Sequence, residues 1–192
     1  MQLNHDPSDL YSIESTVYRF GDVKLCHAKD KANGTKRLVK FAPRLNENEA
    51  KILRELREQD RLMQLIEGFQ FSENSKQTYA LVYASAVPIL EFISLRHKYS
   101  EELVVKILRQ LLDGVQWLHL HGFVHLNINA LTILNANLTQ VNVKLGGLEN
   151  ALPFAELVRA NELENDGAAA LSSLYSTQIR ASQPIEFAGT RI

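Results

Sequence analysis

Between positions 11 and 83, apolar and polar residues alternate in short β-prone runs that are cut by polar turns. Asp22-Val23-Lys24-Leu25-Cys26-His27 and Arg37-Leu38-Val39-Lys40-Phe41 lie on either side of Asn33-Gly34, a dipeptide suited to a tight hairpin, so the pattern predicts an antiparallel meander. One helix interrupts it over about 46–57, where Ala50, Leu53 and Leu56 recur every three residues and charged residues fill the other faces. Strands are expected again over 62–71 and 77–83. The clearest helix spans 100–121: Ser100 caps it, Glu101 and Glu102 sit in the first turn, and Leu103, Ile107, Leu111, Val115 and Leu118 form one stripe. Gly122 ends it, and two short strands over 131–135 and 141–145 follow around an Asn-rich turn. After Pro153 the periodicity fades into Ala, Ser, Glu and Asn, leaving a short helix over 154–164 and then a segment expected to be partly mobile.

Composition narrows the function classes. With 192 residues, 45% apolar and 22% charged, the chain can bury a sizeable core. A formal net charge of −1 leaves no cationic excess for neutralising nucleic-acid phosphates, so nucleic acid is not expected as a partner. No apolar stretch reaches the ~18 residues of a membrane span, and no basic-then-apolar leader opens the sequence, so neither membrane nor secretory route is expected. The single cysteine, Cys26, has no second thiol for a disulfide or a zinc site and fits a reducing, cytoplasmic compartment.

The stretch Gly122-Phe123-Val124-His125-Leu126-Asn127-Ile128-Asn129-Ala130-Leu131-Thr132-Ile133-Leu134 resembles the catalytic loop of the myosin-light-chain-kinase and titin group of protein kinases. Arg109 to His119 resembles the helix before that loop, Arg19-Phe20-Gly21-Asp22-Val23 the end of the glycine-rich loop, and Leu38-Val39-Lys40-Phe41 the strand that carries the ATP lysine. Glu49-Ala50-Lys51-Ile52-Leu53 resembles the helix whose glutamate pairs with that lysine, and Gly147-Leu148-Glu149-Asn150-Ala151 stands where D-F-G-L-A belongs. The resemblance extends in order from about 11 to 192, ending in Ile185-Glu186-Phe187-Ala188-Gly189-Thr190-Arg191-Ile192.

It implies an α+β, protein-kinase-like bilobal fold: an antiparallel β small lobe of five strands with one helix, then a truncated, mainly helical large lobe. The divisions expected are an N-terminal extension at 1–10, the small lobe at 11–84, the start of the large lobe at 85–152 and an activation-segment-like tail at 153–192. Later large-lobe helices have no counterpart in the sequence, as in a piece of a larger protein, so Leu103, Ile107, Leu111 and Leu118 are expected to be left bare.

Phosphoryl transfer needs a base, metal-holding side chains and a backbone cradle for phosphates. On the resemblance, Asn127 stands at the base position, where a neutral amide cannot take the hydroxyl proton. Asn129 replaces the loop lysine, Thr132 one metal ligand, and Gly147 the main metal carboxylate. Thr16 and Tyr18 occupy the first two glycine positions, both expected to crowd the phosphates, and only Gly21 remains. Glu149 is too displaced from the ligand position to restore a magnesium site. Lys40 and Glu49 survive, with only eight residues between them; they are expected to form an inherited, weakly contributing ion pair. With Gly21 they leave weak, magnesium-independent ATP contact as the alternative, and no metal or obligatory cofactor is expected.

Other candidates have plainer explanations. His119 and His121 point to different sides near a helix end, and His125 is expected to pack and hydrogen-bond beneath its loop. Trp117 is expected in the core, Cys26 as an inert small apolar residue, and the acidic run over 161–166 as a solvated helix end. The function implied is that of a non-catalytic scaffold with cytoskeletal or sarcomeric protein partners, like the titin and obscurin group. A metal-independent nucleotide switch and a weak Ser/Thr kinase are the alternatives.

Overall fold

In a computed structural model of the chain, the residues described are 2–3, 5–57, 59–73, 75–95 and 100–164. The tail beyond, with its 185–192 stretch and most of the segment expected to be mobile, lies outside them, as do the side chains of 2–3 and 160–164.

The alternation at the start of the chain forms an α+β arrangement built on an antiparallel sheet of five strands. These are β2 (Tyr11–Phe20), β3 (Val23–Asp30), β4 (Lys36–Ala42), β5 (Leu65–Glu73) and β6 (Lys76–Ala84); β1 (Gln2–Leu3) adds a short parallel edge beside β5. The spatial order is β1-β5-β6-β4-β3-β2. β1 lies within 1–10, and its two residues are too few to carry a period. β5 also begins later than expected: Leu62 instead makes an isolated parallel bridge to Leu145.

Because side chains along a strand alternate between faces, adjacent residues serve different cores. Val39 on β4 joins Phe69, Ala80 and Val82 on one face, while Leu38 joins Leu81 and Tyr83 on the other. Lys40 follows the parity of Leu38, so the strand delivers its ammonium to the face covered by α1 (Glu47–Glu55). That helix starts at Asn46, whose side chain accepts from the Glu49 amide at 2.9 Å. Its buried face is Glu49, Ile52 and Leu53, continued by Leu56, so Ala50 is not the centre of the stripe. The charged Glu49 hid the true i, i+3, i+4, i+7 series.

β7 (Val87–Pro88) and α2 (Ile89–Ser94) lead to α3 (Glu101–Leu120), capped by the Ser100 hydroxyl accepting from the Leu103 amide at 3.1 Å. The expected stripe faces inward: Ile107 and Leu118 are buried and Leu103, Leu111 and Val115 are half-buried. They are therefore not left bare. Leu103, Ile107 and Leu111 pack in a cluster with Phe92 and Val143, and Leu118 packs beneath the sheet with Leu145. The exposed apolar residues of α3 are Val104, Val105, Leu108 and Leu112, away from that stripe, and Leu120 at the helix end. At Gly114 the helix approaches another segment closely, since a Cβ there would stand 3.3 Å from the Arg61 carbonyl oxygen.

β8 (Phe123–Val124), β9 (Ile133–Asn135), β10 (Val143–Leu145), β11 (Leu152–Pro153) and α4 (Phe154–Glu164) complete the described chain. β9 and β10 are shorter than the sequence suggested because the turn between them is tied by side chains, Asn135 donating to the Gln140 carbonyl at 3.0 Å. The sheet half and helical half are stitched where the Met63 amide donates to the Leu145 carbonyl at 3.0 Å and the Leu145 amide to that of Arg61 at 2.7 Å. Among the described residues no helix is long and apolar enough to cross a membrane.

Candidate functional site

Lys40 from β4, Glu49 from α1 and Glu149 from the short turn of 3-10 helix at Leu148–Asn150 meet under the sheet. An ammonium has three protons to donate. Lys40 Nζ lies 2.8 Å from both Glu49 oxygens and 2.9 Å from Glu149 Oε2, so all three are committed. The side chains of Lys40 and Glu49 are 7% and 4% exposed, whereas Glu149 keeps 29%. Glu49 Oε1 also accepts from the Tyr83 hydroxyl at 2.9 Å. Burial alone would pull the Lys40 pKa down, but Glu49 and Glu149 more than offset it and the balance lies above 10.5. Burial, then the Glu49 charge, pushes the Tyr83 phenol well above its ordinary value.

The pair expected as weakly contributing is therefore a buried one, with a third member that the sequence did not disclose. The hint was Glu149 itself, the one acid in the otherwise neutral or basic stretch 141–151. Its backbone is held too: Asn46, while capping α1, donates its amide to the Glu149 carbonyl at 2.7 Å.

Thr16 and Tyr18 do not act together. The β2–β3 register shifts between them, so Thr16 pairs with Cys26 and Tyr18 with Leu25, on opposite faces of the sheet. Thr16 turns toward Cys26, away from Lys40. Tyr18 hangs over the cluster, and burial followed by the Glu149 charge lifts its phenol to about 12. Tyr18, Leu25, Leu38, Met63, Leu134 and Glu149 are among the walls of the cavity beside Lys40, whose free space is about 30 Å³. Pockets for small molecules commonly measure ~300–1,000 Å³. Gly21, in the turn after β2 with φ +54°, is not among the residues that line it.

Asn127, Asn129 and Thr132 lie together in the loop between β8 and β9 and satisfy one another. Asn129 donates to Asn127 Oδ1 at 2.9 Å, and the Thr132 hydroxyl donates to the Asn127 carbonyl at 2.9 Å. His125 underlies the loop, buried, with Nε2 2.8 Å from the Gly146 carbonyl and Nδ1 accepting from the Asn127 amide at 3.2 Å. That arrangement requires the Nε2–H form, and burial lowers the ring's pKa despite the Gly146 bond.

Gly147 stands next to this loop in the left-handed conformation, φ +68°. A Cβ built there would lie 2.3 Å from Thr132 Cγ2, so Thr132 occupies the volume that any side chain at 147 would need. No protein-family model matches the chain. Of the remaining candidates, His119 stacks edge-on to Phe154 and His121 lies against Trp117, with ring centroids 5.6 and 4.3 Å apart. Trp117 is half-buried at the edge of the core, and its indole N–H has no partner among the described residues. Cys26 is fully buried.

The site offers a saturated ammonium, two carboxylates and almost no free volume. Every Lys40 proton faces a carboxylate oxygen, and the three charges sum to −1.

Proposed function

We propose that this chain is a non-catalytic, protein-kinase-like domain that works as a protein-binding scaffold. The observation that carries the proposal is the full commitment of the Lys40 ammonium to Glu49 and Glu149, at the position where the resemblance puts the ATP lysine. The five antiparallel strands with α1 laid across them are consistent with a kinase small lobe. The loop chemistry points the same way: Asn127 is neutral, Asn129 is uncharged, and Gly147 is kept without a side chain by Thr132. A binding role draws support from Val104, Val105, Leu108 and Leu112, four exposed apolar residues within nine positions of α3. On the resemblance, the setting is a larger cytoskeletal protein of muscle.

Phosphate transfer from labelled Mg-ATP to basic and myosin-derived peptides tests the catalytic half directly. The full chain is expected to give no turnover above a Lys40→Ala control, and Asn127→Asp is expected not to rescue it, because residues that act as a unit are not additive. Turnover above the control would overturn the proposal.

A further inference from the structure

The cluster at Lys40 has one asymmetric member. Glu49 is sealed, bidentate on the ammonium and further tied by Tyr83, whereas Glu149 makes a single contact through Oε2 and is the one carboxylate of the two within reach of solvent. Glu149 is also supplied by a short turn rather than by the sheet or a long helix. Its backbone is fixed independently of its carboxylate, through the Asn46 amide, so the carboxylate can leave Lys40 by rotation about its own side-chain bonds.

We infer that Glu149 is a built-in occupant of the anion site on Lys40, a residue that sets specificity by excluding phosphate-bearing ligands. While it is in place, an incoming phosphate finds no free N–H and a net charge of −1. When the Glu149 carboxylate swings away or is deleted, Lys40 and Glu49 cancel and one N–H of Lys40 is left without its Glu149 partner. The apolar walls of Leu25, Leu38, Met63 and Leu134 then adjoin a single cationic donor, the combination that favours an anion with an apolar body. The exclusion rests on the proposed function's own reading of these Lys40 contacts and names the residue that enforces it.

The test is calorimetric titration of the full chain with ADP in excess chelator, on the wild type, Glu149→Gln and Glu149→Ala. Glu149→Gln removes the charge but keeps an amide oxygen that can accept from Lys40, Glu149→Ala removes both, the Asn46 bond to the backbone carbonyl persists in each, and thermal melts confirm that each variant is folded. Glu149→Ala is expected to bind ADP at least about tenfold more tightly than the wild type, the order of one charge-assisted hydrogen bond, and Glu149→Gln to fall between the two. In the same titration the nitrogen resonance of the Lys40 ammonium is expected to move in the variants and to stay fixed in the wild type. Equal affinity across the three proteins, or tighter binding that leaves the Lys40 resonance unmoved, would overturn the inference. Unimproved ADP binding in the variants would overturn this inference and leave the absence of phosphate transfer, and with it the proposed function, standing; phosphate transfer by the wild type would overturn both.

Discussion

Gly147 and Thr132 show what a single residue type can and cannot announce. That glycine removes a metal-holding carboxylate is legible from the resemblance alone. That Thr132 fills the vacated volume is not, because the two meet only when the loop before β9 folds against the chain after β10. A Cβ at 147 must pay for φ +68°, about 1–2 kcal/mol, and for the 2.3 Å approach to Thr132 Cγ2, typically ~1–3 kcal/mol more. Gly147→Ala is therefore expected to destabilise by about 2–5 kcal/mol in urea denaturation. Thr132→Ser deletes the obstructing methyl and keeps the hydroxyl, so the double variant should be less destabilised than the sum of the singles, by about 1–3 kcal/mol. Strict additivity would show that the contact carries no strain.

At the scale of elements, the strands and helices were largely legible and the faces less so. β4 and β6 follow the alternation closely, and α3 keeps its stripe, because long apolar series outvote local exceptions. α1 was misjudged by one position, because its inward face includes Glu49, which counts as polar in any pattern and is buried only because Lys40 and Tyr83 meet it. The bulge between Thr16 and Tyr18 was equally hidden, since a one-residue slip leaves composition unchanged and reverses what a side chain faces. α1 also depends on a residue with two duties. Asn46 caps the helix through its oxygen and holds the Glu149 carbonyl through its nitrogen. Asn46→Ala should cost about 1–3.5 kcal/mol, combining ~0.5–2 for a cap with ~0.5–1.5 for a hydrogen bond. Asn46→Ser restores an acceptor for the Glu49 amide, but its shorter side chain has no amide nitrogen to reach the Glu149 carbonyl. It should recover the cap's share, while hydrogen exchange in the 148–151 turn stays faster than in the wild type. Wild-type exchange there in Asn46→Ser would show that the second bond does not hold the turn.

For the whole molecule, the buried phenols and ammonium link stability to alkaline pH. Tyr11 and Tyr18 are lifted from 10.0 to about 12, both first by burial, and then by Glu67 and Glu149 respectively. Tyr83 is lifted further by burial and Glu49, and the Lys40 balance lies above 10.5. In each case the folded chain keeps a proton that the unfolded chain releases at its ordinary pKa, so the native state binds more protons from about pH 10 upward. The sign follows: this contribution is fully present below pH 10 and is lost as pH rises through the folded values. Each group can steepen the decline by up to ~1.4 kcal/mol per pH unit over its own window. Because Tyr18, Tyr83 and Lys40 share Glu49 and Glu149, deprotonating one places a further negative charge or an unneutralised carboxylate beside the others, and the losses are coupled. Urea midpoints are expected to hold between pH 7 and 9 and to fall steeply between about 10 and 12. Tyr18→Phe, which removes one of the retained protons and leaves the Lys40 contacts in place, should make that limb shallower. A midpoint unchanged to pH 11.5, or a limb equally steep in Tyr18→Phe, would mean that the phenol above Lys40 is not shielded from water in the way its position under β2 requires.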